Sequence, residues 1–137
     1  MAYWLLKADP DVYGYENLKS DKQTYWDGVA NNLALKHMRN MKKGDQALIY
    51  HSGKEKALAG LASITSDPYP DPEKDDERLV VFDIKPRKQL KKPVTLQEIK
   101  ADARFADFAL VRMSRLSVMP VPAPLWKRLL TMAGEKP

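Results

Sequence analysis

Apolar and polar residues alternate along several short stretches of the chain, which is the pattern of half-buried strands. In the stretch from Ala2 to Ala8, Trp4 and Leu6 fall on one face and Lys7 falls on the other. We expect this strand to end at Pro10, because proline cannot continue a ladder and restricts the residue before it. Four further stretches have the composition and alternation of strands: Gln46 to Ser52, Ala57 to Ser66, Arg78 to Lys85 and Arg115 to Met119.

Helical spacing of apolar residues predicts two longer helices. The first runs from Asn31 to Met41, with Asn31 as its N-cap and Gly44 after its end. The second runs from Pro124 to Met132 and places Trp126 on its apolar face, so we expect Trp126 in the core. Shorter helical pieces are predicted at 15–19, at 104–108 and after Thr95, which has capping-box spacing to Glu98.

Three stretches show no regular period. Residues 20–29 are polar and aromatic, so they predict a loop, and residues 67–77, with three prolines and six acids, predict another that is exposed. The basic run 85–92 is interpreted as the end of a strand followed by a loop. Inside a predicted strand, Gly60 indicates a bulge or a close approach. Strands with helices inserted between them predict an α+β fold whose sheet curls into a small barrel.

Composition narrows the function classes. The chain has 137 residues, which suits a single domain over 1–137. Its net charge is +5, which favours anionic partners, including nucleic acid. The sequence contains no cysteine, which excludes disulfides, thiol catalysis and cysteine zinc sites. No apolar run approaches the roughly 20 residues of a membrane span, and no signal peptide precedes Tyr3, so we expect a cytoplasmic protein without membrane contact.

Residues for catalysis are scarce. The two histidines, His37 and His51, form no metal-like cluster with neighbouring residues, and His37 is interpreted as a solvated helix residue. Adjacent His51 and Ser52 point to opposite faces of a strand, so they cannot form a nucleophile–base pair. Ser52-Gly53-Lys54 lacks the upstream glycine of a phosphate-binding loop. We therefore predict no catalytic residue, no metal and no cofactor.

An aromatic and polar cluster is the better candidate for a site. Trp26 lies in the unpatterned stretch 20–29, where it is either a core residue or a wall on which a flat ligand stacks. Asn31 follows this stretch, and its amide has the chemistry to contact a base edge as well as to cap a helix.

Six segments together resemble one family. They are Tyr3 to Pro10, Tyr25 to Val29, Met41 to Asp45, Tyr50 to Ser52, Tyr69 to Asp71, and Ser114 to Val118 with Pro120. In this order the chain resembles the EVE domain of the PUA-like superfamily, in the thymocyte nuclear protein type, beside the YTH and ASCH domains. The resemblance covers nearly the whole chain.

The resemblance implies a small closed barrel with peripheral helices and a pocket on one side. EVE-like and YTH-like relatives are known or proposed to recognise modified bases that are flipped into an aromatic pocket. Carried over to this chain, the implied ligand-binding residues are Trp4, Lys7, Trp26, Asn31, Tyr50, His51, Ser52, Arg115 and Ser117. The resemblance implies binding and not catalysis.

The chain departs from the family in the motif that follows Val29. Many members continue it as Arg-Asn-Tyr-Gln-Ala-Arg, whereas this chain has Ala30, Asn31, Asn32, Leu33, Ala34 and Leu35. The replaced arginines predict weak binding to oligonucleotides. We expect a monomeric, non-catalytic module that recognises a modified nucleobase in DNA or RNA. The alternatives are a sensor or enzyme that takes a nucleotide or metabolite in the same pocket, and a protein–protein adaptor.

Overall fold

A curled mixed sheet forms the frame of the protein, and helices lie along its edges and ends. The structure is a computed structural model that describes residues 1–136. The strands are β1 (Tyr3–Ala8), β2 (Thr24–Trp26), β3 (Gln46–His51), β4 (Ala57–Ile64), β5 (Tyr69–Pro70), β6 (Val80–Thr95) and β7 (Val118–Pro120). The helices are α1 (Pro10–Tyr13), α2 (Tyr15–Asp21), α3 (Asn32–Arg39), α4 (Leu96–Ala101), a 3-10 helix (Ala103–Phe105), α5 (Ala109–Arg112) and α6 (Ala123–Met132).

The sheet is open along one side. Its strands follow the order β2-β6-β4-β3-β1-β7, and β5 pairs with the start of β6. Only β1 and β3 run parallel, and the other paired strands are antiparallel. Within residues 1–136 the end strands β2 and β7 do not pair, and α3 contacts both β6 and β7. The α+β class and the curled sheet are confirmed, but the barrel is a half-barrel with a seam and not the closed barrel that the resemblance implied.

The long strand β6 corrects the prediction of a strand over 78–85 followed by a basic loop. It continues through the basic run to Thr95, although it contains Pro86 and Pro93. Proline lacks the N–H of a ladder and is tolerated at bulges. The pairing of β4 with β6 shifts register between Leu61 and Ala62, the latter being the partner of Pro86. A second shift precedes Val94, so both prolines lie where the ladder is already interrupted.

The N-terminal segment is more regular than predicted. Pro10 ends β1 as expected, and it also begins α1 as its first residue, because proline needs no hydrogen-bond acceptor there. The predicted turn at 15–19 is the longer helix α2. Residues 24–26 of the predicted loop are β2, which pairs with Phe82–Ile84 of β6. A strand of three residues is too short to show a period, which explains why the sequence pattern missed it.

Most other bounds agree with the sequence to within a few residues. Asn31 is the N-cap of α3, and its side chain accepts from the amide of Ala34 at 3.0 Å. This helix ends at Arg39, earlier than predicted, and buries Leu35 while leaving Leu33 exposed. The late strand is shorter than the predicted 115–119, and α5 precedes it without having been predicted.

Three aromatic residues and one glycine pack helices against the sheet. Trp126 is buried, as predicted, and stacks on Tyr3 with ring centroids 4.5 Å apart. Gly60 marks a close approach, as predicted, because a Cβ atom there would lie 2.3 Å from the Tyr15 ring. The Tyr15 hydroxyl donates to the carbonyl of Leu61 at 2.7 Å, which fixes α2 against β4.

Candidate functional site

A cleft of about 530 Å³ occupies the seam between the two ends of the sheet. Its walls come from the end of β1, from α1, from β2 with the residues after it, and from the residue before β7. Clefts of about 300–1,000 Å³ are typical of small-ligand sites. The lining residues are Lys7, Ala8, Asp9, Val12, Tyr13, Thr24, Tyr25, Trp26, Asp27, Gly28, Val29 and Ser117.

Two aromatic rings form a corner in this cleft. The rings of Tyr13 and Trp26 lie 6.4 Å apart between centroids and are nearly perpendicular, at 84°. The Tyr13 hydroxyl donates to the Asp21 carboxylate at 2.7 Å, which fixes the ring. Burial and the Asp21 carboxylate raise the pKa of Tyr13 to about 12, so its hydroxyl stays neutral. The corner is therefore a rigid, uncharged surface on which a planar ring can stack.

The two interpretations of Trp26 both describe part of its environment. Its side chain is 9% exposed and belongs to the hydrophobic core. The same side chain lines the cleft. Trp26 thus supports the edge strand β2 and presents the remainder of its surface to the seam.

Lys7 also lines the cleft. Lys7 Nζ donates to the carbonyl of Ser114 at 2.8 Å and lies 5.9 Å from the centroid of the Tyr50 ring. Burial lowers the pKa of Lys7. The Lys7 amide donates to the carbonyl of Ser117 at 2.9 Å, which holds Ser117 next to Lys7 in the cleft lining. Lysine and serine provide hydrogen-bond donors to a bound polar edge.

Three of the nine predicted site residues line this cleft, namely Lys7, Trp26 and Ser117. Trp4 does not line it. Its indole N–H donates to the buried Asp45 carboxylate at 2.9 Å, on the strand face opposite to that of Lys7. Asp45 also accepts from the amides of Ala2 and Lys42, so Trp4 belongs to a structural network.

Tyr50, His51 and Ser52 also do not line this cleft. Tyr50 is buried. His51 Nε2 accepts from the Tyr15 amide at 3.0 Å, and its Nδ1 lies 2.9 Å from a Glu55 carboxylate oxygen. The Ser52 hydroxyl donates to the carbonyl of Ala8 at 3.2 Å. Because both ring nitrogens of His51 have protein partners, the segment fastens β3 to α2 and β1.

Asn31 and Arg115 lie in a second, neighbouring cavity. This groove has a volume of about 460 Å³ and is lined by Asn31, Leu33, Arg112, Met113, Ser114, Arg115 and Leu116. Asn31 caps α3 there, as one of its two interpretations required. The two cavities adjoin where Lys7 contacts Ser114.

Sequence reasoning missed Val12 and Tyr13 of the cleft. They lie in α1, a helix of one turn that has no readable period. Thr24 and Tyr25 belong to the unrecognised strand β2, although Tyr25 lies within a motif that supported the resemblance. The available signal was the two aromatic residues, Tyr13 and Tyr15, that follow Asp9-Pro10.

The described residues contain neither a metal-binding cluster nor a membrane-spanning helix. Residues 1–136 contain no cluster of three or more histidine, cysteine, aspartate or glutamate side chains arranged to hold a metal ion. No helix among those residues is both long and apolar enough to cross a membrane.

An open, curled sheet with a helix across its seam and an aromatic cleft in that seam defines a small PUA-like module. More specifically, the chain belongs to the EVE domain family, whose family model matches residues 2–132. Thymocyte nuclear protein 1 of Danio rerio is 30% identical over 98% of this chain and 73% of the relative. The family resemblance inferred from the sequence motifs is confirmed.

Solved structures agree with the fold. A Rhodopseudomonas palustris protein solved by NMR is 43% identical, covers 98% of this chain and 94% of its own, and has a TM-score of 0.92. The human THYN1 protein, solved in complex with DNA containing 5-methylcytosine, is 27% identical over 100% of both chains, with a TM-score of 0.90.

Proposed function

We propose that the protein is a non-catalytic module that binds DNA by taking one modified base into the seam cleft. The observation that carries the proposal is the cleft itself, which is lined both by the Tyr13–Trp26 corner and by two residues with hydrogen-bond donors, Lys7 and Ser117. A planar base needs one stacking surface and donors or acceptors along one edge. The human relative bound to DNA containing 5-methylcytosine supports a methylated pyrimidine as the first candidate.

The polar and apolar groups of the cleft suit such a base. The Lys7 ammonium and the Ser117 hydroxyl suit the carbonyl oxygen and ring nitrogen acceptors of a pyrimidine edge. Ala8, Val12 and Val29 contribute apolar surface on which a methyl group is removed from water. Burial of one methyl group contributes about 0.8 kcal/mol, so we expect roughly fourfold tighter binding of the methylated base.

Binding without chemistry is part of the proposal. The general acid–base candidate, His51, has both ring nitrogens engaged by Tyr15 and Glu55, away from the cleft. The titratable groups that do line the cleft include Asp9, Asp27 and Lys7. Lys7 donates to the Ser114 carbonyl, which suits a group that binds a ligand by hydrogen bonding.

The test is an anisotropy titration with labelled 12-nucleotide DNAs that differ only in one central cytosine or 5-methylcytosine, single-stranded and in duplex. We expect tighter binding of the methylated strand. Lys7→Met keeps the length of the side chain and removes its charge, and a charged hydrogen bond contributes about 1.5–3 kcal/mol, so we expect a loss of roughly tenfold or more. Lys100→Met, in an exposed position of α4, is the control and leaves affinity unchanged.

Three results contradict the proposal. They are equal binding of methylated and plain strands in both forms, equal losses in Lys7→Met and Lys100→Met, or no binding to any of the DNAs. A free nucleoside that binds as tightly as the 12-nucleotide strand indicates a small-molecule sensor instead.

A further inference from the structure

The exposed apolar side chains of this protein are concentrated at the site. Four large apolar side chains are exposed within residues 1–136, namely Met1, Val12, Leu33 and Met113. Val12 lines the cleft, and Leu33 and Met113 line the adjoining groove of about 460 Å³. Exposed apolar groups gathered beside polar ones are typical of an interaction surface.

The groove is also positively charged. Its lining contains Arg112 and Arg115, both exposed, and no aspartate or glutamate. Outside the groove, Asp107 lies 3.4 Å from Arg112. Arg115 forms no ion pair within the described residues 1–136, so its guanidinium is available to an anionic ligand.

The segment that carries these side chains is held firmly. The Met113 amide donates to the carbonyl of Ala109 at 2.7 Å, and the Leu116 amide donates to the carbonyl of Met113 at 3.0 Å. Leu116 is buried, and Lys7 binds the Ser114 carbonyl. Fixing this turn before a ligand arrives lowers the entropy cost of binding.

Two chain segments run directly from the groove into the cleft. One leads from Met113 to Ser117, which lines the cleft, and the other leads from Asn31 back to Val29. The cleft and the groove therefore share a border along these two segments.

We propose that the groove holds the nucleotide next to the base in the cleft, with Arg115 on its phosphate and Leu33 and Met113 against its base or sugar. This inference rests on the proposed function. It adds a recognition element for the DNA strand itself, because guanidinium groups pair with phosphate and apolar side chains pack against unstacked bases. An acidic peptide or a second copy of the chain is the competing occupant.

The experiment compares two ligands at several salt concentrations. They are a single-stranded 12-nucleotide DNA with one central 5-methylcytosine, followed by anisotropy, and free 5-methyl-2′-deoxycytidine, followed by NMR shifts of cleft residues. Arg115→Gln is expected to lower the magnitude of the log–log salt slope for the DNA by about 0.7, the value of one phosphate contact on a single strand. Its affinity for the nucleoside stays unchanged.

Two further comparisons isolate the groove. Arg87→Gln is the matched arginine control, since Arg87 contacts Gln46 at the opposite end of β3 from the cleft, and it leaves the salt slope unchanged. Met113→Ala is expected to weaken DNA binding several-fold and Met113→Leu to retain it, with the nucleoside again unaffected.

The failure of the groove and the failure of the cleft give different results. If wild-type protein binds the nucleoside and the DNA, and Arg115→Gln keeps the wild-type slope and affinity, the groove proposal is wrong while the cleft stands. Equal losses for both ligands in Arg115→Gln place that side chain in the base site and also overturn it. If neither the nucleoside nor the DNA binds, both proposals are wrong. If the protein self-associates and Met113→Ala abolishes the association, a second copy occupies the groove and the groove proposal is wrong.

Discussion

Replacing Trp26 by alanine separates the two contributions that this residue makes, one to the core and one to the cleft. The side chain is 9% exposed and lies in β2, the edge strand at the seam. Buried tryptophan to alanine substitutions typically cost about 3–5 kcal/mol. Because an edge strand can relax into the space left behind, we expect a loss near 3 kcal/mol, the lower end of that range.

The structure thus changes the expectation for stability. From the sequence, an aperiodic loop tryptophan predicts only a modest loss of thermal stability, whereas a loss near 3 kcal/mol lowers Tm by roughly 10 °C for a chain of this size. Total stabilities of about 5–15 kcal/mol leave the variant mostly folded at low temperature. Urea unfolding followed by circular dichroism gives the folded fraction to which binding is referred.

The contribution to binding follows from base stacking. Stacking on an aromatic side chain contributes about 1–3 kcal/mol, so Trp26→Ala is expected to weaken binding of the 5-methylcytosine DNA by roughly 5- to 150-fold. Trp26→Phe retains a ring and is expected to lose only a few-fold. Trp126→Phe is the control, because Trp126 stacks on Tyr3 in the core, outside the cleft.

One outcome would refute a stacking role for Trp26. If Trp26→Ala binds the DNA within twofold of wild type after correction for its folded fraction, Trp26 is a core residue only. The cleft would then require another stacking surface.

Three other substitutions have defined outcomes. Ala30→Arg should steepen the salt slope of DNA binding by about one phosphate contact, raise DNA affinity by less than tenfold and leave affinity for the free nucleoside unchanged. Coincident slopes for variant and wild type would show that residue 30 does not face phosphate. His51→Ala should lower the free energy of unfolding in urea by about 1–3 kcal/mol, because Tyr15 and Glu55 lose their hydrogen-bond partner. The variant should retain its DNA affinity, and neither it nor the wild type should form a product from nucleosides, nucleotides or DNA. Gly60→Ala should lower Tm clearly, since its Cβ atom meets the Tyr15 ring at 2.3 Å, and an unchanged Tm would contradict the close approach.

The parts of the fold that were predicted correctly depend on local chemistry. The Asn31 cap, the Thr95–Glu98 capping box and the buried face of α6 are all decided within a few residues, and the structure has each of them. The errors at β2 and β6 have a different origin. β2 is fixed by pairing with Phe82–Ile84, and β6 crosses two prolines because its partner strand shifts register opposite them.

In the candidate site too, local features could be predicted from the sequence and long-range ones could not. The alternation along β1 already predicted that Trp4 and Lys7 lie on opposite faces of the strand, and only Lys7 lines the cleft. The cleft itself depends on the distance between the two ends of an open sheet, which no local pattern encodes. Tyr13 and Ser117 meet there although they are far apart in the chain. That the chain is one domain and acts as a cytoplasmic monomer stays a prediction.

The motif around residue 30 does not by itself show which charged side chains lie near the cleft. Position 30 is alanine where the motif implied by the family resemblance has arginine. Arg78 Nη1 nevertheless donates to the Ala30 carbonyl at 3.2 Å and to Asn32 Oδ1 at 2.7 Å. A guanidinium group therefore lies beside position 30, supplied by the chain after the acidic loop. Since these protein atoms and Asp76 engage it, Arg78 is not free to make a phosphate contact. The expected gain from Ala30→Arg is for that reason one phosphate contact that Arg78 does not already make.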